Sequence, residues 1–203
     1  MRVFSFFLLS LLAVLLGCTL IQSGERKPSA RFYQKQMERL SQEALTHLSE
    51  VAPDSMAIPR SAHKDGSLFG TKSKAWTSGF YPGELWMLYA YSKDERFKDA
   101  ALAWTQYIEK EKFDTHTHDL GFKVYNSFGQ AYKYTNEKAH KDVILQASKT
   151  LINRYNSKVG CIRSWDFNHE TWQFPVIIDN MMNLEMLFEA TRLSGDSTFY
   201  KIA

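Results

Sequence analysis

Three times along the chain a strongly apolar helical stretch is followed, after a short polar turn, by an amphipathic one. Apolar residues at helical spacing predict helices over residues 82–91 and 95–110, over 122–134 and 139–155, and over 177–193, with a partner for the last beginning at its far end. Pro82 fits this scheme because proline is welcome in a first turn. Thr135-Asn136-Glu137 and Ser194-Gly195-Asp196 close the second and third units, and turns this short join antiparallel neighbours. The second helices also begin alike, at Phe97-Lys98, His140-Lys141 and Tyr200-Lys201, spacings of 43 and 60 residues that indicate one repeated unit with variable loops. In the first helices Leu85, Trp86, Met87, Leu88 and Tyr89, and later Met181, Met182, Leu184, Met186, Leu187 and Phe188, leave no polar face. Helices apolar all round are buried, and amphipathic ones lie outside them. The expected architecture is therefore all-α, an α/α toroid with an inner and an outer ring and no alternating strand pattern.

Residues 30–51 add a further helix, in which Tyr33, Met37, Leu40, Ala44, Leu48 and Val51 form a stripe expected to be buried. Three hairpins make only an open ring, and its inner helices would present a large apolar area to water, which natural proteins avoid. The expectation is that residues 30–203 are about the first half of a toroid, that a comparable length follows Ala203, and that this portion alone is inactive.

Ahead of the body, Arg2 and the apolar run over residues 3–16 have the form of a secretory signal, too short to span a membrane. The signal is read as residues 1–17. Leu15-Leu16-Gly17-Cys18 resembles the lipobox of bacterial lipoproteins, which makes Cys18 the expected acylated terminus and residues 18–29 a polar tether. Thr19 in place of an aspartate after that cysteine favours the outer membrane. With Cys18 given to lipid, Cys161 has no disulfide partner. Without Arg2 the mature chain has 24 basic and 22 acidic residues, a formal charge of +2, so a nucleic-acid partner is not expected.

Chemistry is expected on the loops that lead into the inner helices, because they are long and aromatic for connecting segments. These are Trp76 to Gly83, Thr115 to Phe122, and the stretch from Ser164 through Trp172 to Asn180. Asp119 and Asp179 hold equivalent places in successive units, each at the start of an inner helix. Each could be an ordinary N-cap. Asp179, however, lies between Val176-Ile177-Ile178 and Met181-Met182, where an apolar setting would disfavour the ionised carboxylate and suit a general acid. His116, His118 and Asp119 offer at most three metal ligands, with no HExxH or paired CxxC, so no metal is expected. Trp76, Trp165 and Trp172 can stack on the apolar face of a sugar, whereas Trp86 and Trp104 lie in helical stripes and read as core.

Taken together, His118-Asp119-Leu120-Gly121-Phe122, Ile178-Asp179-Asn180-Met181-Met182-Asn183-Leu184-Glu185 and Trp76-Thr77-Ser78-Gly79-Phe80-Tyr81-Pro82-Gly83 resemble three signature segments of the unsaturated glucuronyl hydrolases. The resemblance implies an (α/α)6 toroid of roughly twice this body's length and a cofactor-free hydration of the C4=C5 double bond in unsaturated uronic acid oligosaccharides left by polysaccharide lyases. It implies that Asp179 moves the proton, that Asp119 keeps Asp179 protonated and positions substrate or water, and that Trp76, Trp165, His118 and Asn180 bind sugar. The other readings are an unsaturated rhamnogalacturonyl hydrolase acting on pectin fragments, against which the His118 to Phe122 segment speaks, and a non-catalytic glycan-binding lipoprotein. For the anchor, Cys18→Ser is expected to shift the protein from the membrane pellet to the soluble fraction; continued sedimentation with membranes would remove the anchor from this account.

Overall fold

The computed structural model describes residues 29–54 and 56–203; the signal, Cys18 and all of the tether except Ser29 lie outside the described residues. The chain divides into two compact units, Met1–Gln42 and Glu43–Ala203. Helix α1, Ala30–Glu50, begins in the first. Ser29 starts it, its carbonyl and Oγ both accepting the Phe32 N–H, at 2.9 and 3.2 Å. None of its residues is buried, so the expected buried stripe is corrected: Tyr33 and Leu40 are exposed. Local capping and side-chain pairs such as Gln34 to Glu38, 2.9 Å, support the helix instead.

The second unit opens with an antiparallel pair, β1 (Ile58–Ala62) and β2 (Leu68–Thr71), bulged between Pro59 and Ser61. Another, β3 (Tyr155–Asn156) with β4 (Cys161–Ile162), lies between the second and third hairpins. No strands were expected, because two to five residues are too few for alternation to register.

Three helical hairpins follow the expected order. The first is α2 (Phe80–Ser92) with α3 (Glu95–Thr105), which tightens into a 3₁₀ turn over Gln106–Phe113. The second has a π-helical stretch, Gly121–Gly129, running into α4 (Gln130–Thr135), then α5 (Lys138–Ile152). The third has α6 (Asn180–Asn183) and α7 (Glu185–Ser194), then α8 (Ser197–Ile202). Every hairpin turns through one left-handed residue, Lys93, Asn136 or Gly195, whose N–H closes on Tyr89, Tyr132 or Thr191 at 2.8 Å. Asp94 and Asp196 then cap the second helices, accepting from the N–H of Arg96 and Thr198. Glu137 holds the same position ahead of α5 without a side-chain cap bond.

Trp86, Trp104 and Phe97 are fully buried, with Trp86 stacked on Tyr134 at 5.6 Å, so both tryptophans read as core are core. Burial of each side chain of this size contributes roughly 1.5–3 kcal/mol. Val143, Ile144, Ala147 and Leu151 of α5 bury one face, and α5 packs on both the π-helical stretch and α7. Exposed apolar residues lie on the first inner helix, at Met87 and Tyr91, which corrects the expectation that it is buried all round, and on the third at Met181, Met182 and Phe188, with Ile178 just ahead of it.

Glycine sets the spacing of the inner-helix starts. A Cβ on Gly79 would fall on the carbonyl oxygens of Phe122 and Lys123, and one on Gly121 would lie 2.5 Å from the Asn183 Cα. Each start therefore touches the next backbone to backbone, which any larger residue would prevent.

Two buried ionic networks fix the loops between hairpins. Lys123, fully buried in the π-helical stretch, donates to Asp114 at 2.7 Å and to Glu111 at 3.4 Å, and Glu111 accepts from Ser73 at 2.7 Å. Arg154, at the end of α5, donates to the carbonyls of Thr115 and Arg163 and forks onto Asp166 at 3.0 and 3.1 Å. Burial pushes the Asp114 and Asp166 carboxyls up, but the bond and charge of Lys123 on the first, and of Arg154 with help from Arg163 on the second, bring both below the usual aspartate range. A carboxyl with a lowered folded pKa stabilises the fold above its unfolded value, 3.8 here, and that contribution is lost as pH falls through the folded pKa. Stability should therefore fall below about pH 4. Arg154→Met, which leaves Asp166 short of its main partner, should cost about 3–5 kcal/mol at neutral pH and shrink the acid-side loss, both measured by urea denaturation as a function of pH.

Candidate active site

One buried serine draws the two acidic loops together. The Ser164 carbonyl accepts the His118 N–H at 3.0 Å, its Oγ accepts the Ile177 N–H at 3.2 Å, and its own N–H donates to Pro175 at 2.8 Å. Thr117 and Trp165 pair as an isolated antiparallel bridge beside it. On the helix side, the Asn183 Oδ1 accepts the Phe122 N–H at 2.9 Å, directly at the Gly121 contact. The start of the second inner helix is thus held to the start of the third on both flanks, and Asp119 and Asp179 meet.

They meet around His118. Its Nε2 stands 3.3 Å from Asp119 Oδ1 and 3.6 Å from Asp179 Oδ1, and its side chain is 3% exposed. Thr117 Oγ1 donates to the other Asp119 oxygen at 2.5 Å and accepts the Asp119 N–H at 3.1 Å. One oxygen of Asp119 therefore accepts a hydrogen bond from Thr117, and the other stands against His118. Asp179 is the opposite case: its Oδ1 is buried with no hydrogen-bond partner, yet the side chain is 39% exposed, which leaves Oδ2 as the open oxygen. Neither aspartate acts as a side-chain cap; Asp179 precedes α6 in helical conformation and caps nothing, and Leu120 takes the cap position of the π-helical stretch. The capping alternative is not what the fold uses.

The apolar setting expected for Asp179 is corrected. Ile178 is 87% exposed, and Met181 and Met182 also face out, because residues 177–179 form a turn and α6 starts only at Asn180. His118, expected at the sugar, lies behind the two carboxylates with Nδ1 buried and unpartnered. His116 points away, exposed and 3.5 Å from Asp166. Asn180 is buried and donates to the Ile162 carbonyl at 2.9 Å, so it anchors the loop to β4. Trp76 is half exposed and edge-on to Phe80, with its ring 5.7 Å from that of Phe122, and Trp165 stacks on Phe167 at 5.3 Å. Trp172 is exposed. Among the described residues, His118, Asp119 and Asp179 are the group with metal-ligand geometry, their ligand atoms lying within 4.8 Å of one another. Three protein ligands would leave a tetrahedral ion one open position.

Sequence reasoning missed Ser164, Thr117, Asn183, Lys123 and Arg154. Polar residues in helices and loops read as surface unless their partners are known. The short Thr117-x-Asp119 spacing was the one available signal.

No family model matches the chain. An unsaturated glucuronyl hydrolase of Formosa agariphila is 51% identical over 153 residues, 74% of this chain and 37% of that protein. An unsaturated chondroitin disaccharide hydrolase of Streptococcus pneumoniae is 35% identical over 132 residues, 63% of this chain and 33% of that protein. The crystal structure of an unsaturated glucuronyl hydrolase specific for heparin matches with a TM-score of 0.76 and 38% identity, over 83% of this chain and 44% of that one. The chain therefore spans less than half the length of these relatives. Sequence and fold agree, and the chain belongs to the unsaturated glucuronyl hydrolase family, its hairpins forming part of an α/α toroid.

Proposed function

We propose that this chain supplies the acid pair of a glycoside hydrolase that releases the terminal 4,5-unsaturated uronic acid from oligosaccharides made by polysaccharide lyases. The observation that carries the reading is the unequal pair: Asp119 with one oxygen bonded by Thr117 and the other 3.3 Å from His118, Asp179 with one oxygen buried without a hydrogen-bond partner and one open. A held carboxylate next to an open one suits one charge that stays and one proton that moves.

In this reading Asp179 gives its proton to C4 of the sugar. Positive charge develops at C5 and spreads to the ring oxygen. Water adds its oxygen to C5 and returns a proton to Asp179, so the carboxylic acid is restored. The hemiketal then opens by cleavage of the bond between C5 and the ring oxygen, leaving a ketone at C5 and a hemiacetal at C1 that expels the remaining sugar. Asp119, held by Thr117 and standing against His118, positions the sugar or the attacking water beside Asp179. Trp76 and Trp165 are proposed to stack on the sugar, in keeping with their partly exposed rings. The step needs no cofactor. The protein is further proposed to be an exported lipoprotein held at the outer membrane through Cys18, a reading supported by the Leu15-Leu16-Gly17-Cys18 box after the apolar run.

In a protein of the relatives' length carrying these residues, Asp179→Asn keeps shape but has no acidic proton, and turnover should fall by about 10²–10⁴-fold, the range for a lost general acid. Asp119→Asn should also lower turnover heavily, with KM changing less than kcat in both, followed by loss of the absorbance of the conjugated double bond. Two folded variants with unchanged turnover would show that the aspartates are structural.

A further inference from the structure

His118 is the buried centre of the site, and sugar contact does not explain it. Its ring is enclosed, its backbone N–H is fixed by Ser164, and its carbonyl accepts the Leu120 N–H at 2.8 Å. Of the two ring nitrogens only Nε2 faces acceptors, Asp119 Oδ1 at 3.3 Å and Asp179 Oδ1 at 3.6 Å. Nδ1 is buried and faces none. The partners therefore place the ring hydrogen on Nε2.

We infer that His118 is a positioning residue: its Nε2 stands 3.3 Å from Asp119 Oδ1 and 3.6 Å from Asp179 Oδ1, too far for a hydrogen bond to the latter but close enough to favour that oxygen on the enclosed side, which leaves Asp179 Oδ2 outward as the oxygen that meets the sugar. The inference rests on the hydration reading above and adds to it a reason for the orientation of the acid. Without His118, Asp179 Oδ1 would face only the Asp119 carboxyl across an enclosed space, with nothing to favour its inward orientation, and the side chain could rotate. Asp119 would keep Thr117 but lose its second restraint. Both effects strike the chemical step rather than sugar affinity, because the enclosed ring acts on the carboxyls beside it.

The test compares His118→Gln with His118→Leu in a protein of the relatives' length, with Asp179→Asn as control. The glutamine Nε2 can reach the place of the histidine Nε2 and donate there, whereas leucine fills space without a donor. The expected result is a fall in kcat of about a hundredfold or more for His118→Leu, with KM within about twofold and unchanged melting, and recovery to within about tenfold of the parent for His118→Gln. If His118→Leu does not fold, the glutamine variant decides: a folded His118→Gln within tenfold supports the role, and one a hundredfold slower overturns it. A rise in KM at constant kcat would overturn it in favour of direct sugar contact. Full turnover in His118→Leu beside a dead Asp179→Asn would sink this inference alone, whereas full turnover in all three variants would sink the hydration reading itself.

Discussion

Backbone contact between successive inner-helix starts is the constraint on which the site depends. Gly79 lets the first start lie on the carbonyls of Phe122 and Lys123, and Gly121 lets the second lie on Asn183. At these separations the residues just ahead of each helix are brought into one place, and two acids 60 positions apart come to share one imidazole. Overpacking such contacts costs about 1–3 kcal/mol, and it would also separate the carboxylates. Fold and chemistry are coupled at the same glycines.

Hydrogen bonds then finish what the packing begins. Ser164 serves both acidic loops, Lys123 and Arg154 tie the connecting segments to helices, and the side chain of Asn183 joins the second helix start to the third. The networks are buried, so each partner is expensive to remove. This is consistent with loops that must hold a small group of atoms still while their outer aromatic residues remain free to meet a ligand.

Much of this was legible in the chain. The hairpins, the core tryptophans and the two aspartates at inner-helix starts followed from spacing and position, because periodicity reports which face is buried. The asymmetry of the aspartates was not legible. It comes from a hydroxyl two residues before Asp119 and from a turn that exposes Ile178, and both depend on dihedrals that composition does not set. The stripe of α1 read as buried for the converse reason, since an amphipathic pattern states what could be covered and not what covers it. The π-helical stretch also escaped the reading; there the Ser127 hydroxyl bonds to the Lys123 and Val124 carbonyls, within the helix that carries the site.

The central claim is that Asp179, turned outward by its surroundings, protonates one carbon of an unsaturated sugar from one face. Turnover of an unsaturated disaccharide in heavy water by a protein of the relatives' length, followed by proton NMR, reads this directly. The account requires a single deuterium at C4 in one orientation, appearing as fast as the double-bond absorbance is lost. Deuterium in both orientations, entering only after an unsaturated monosaccharide has been released, would mean cleavage at C1 without enzymatic hydration and would contradict it.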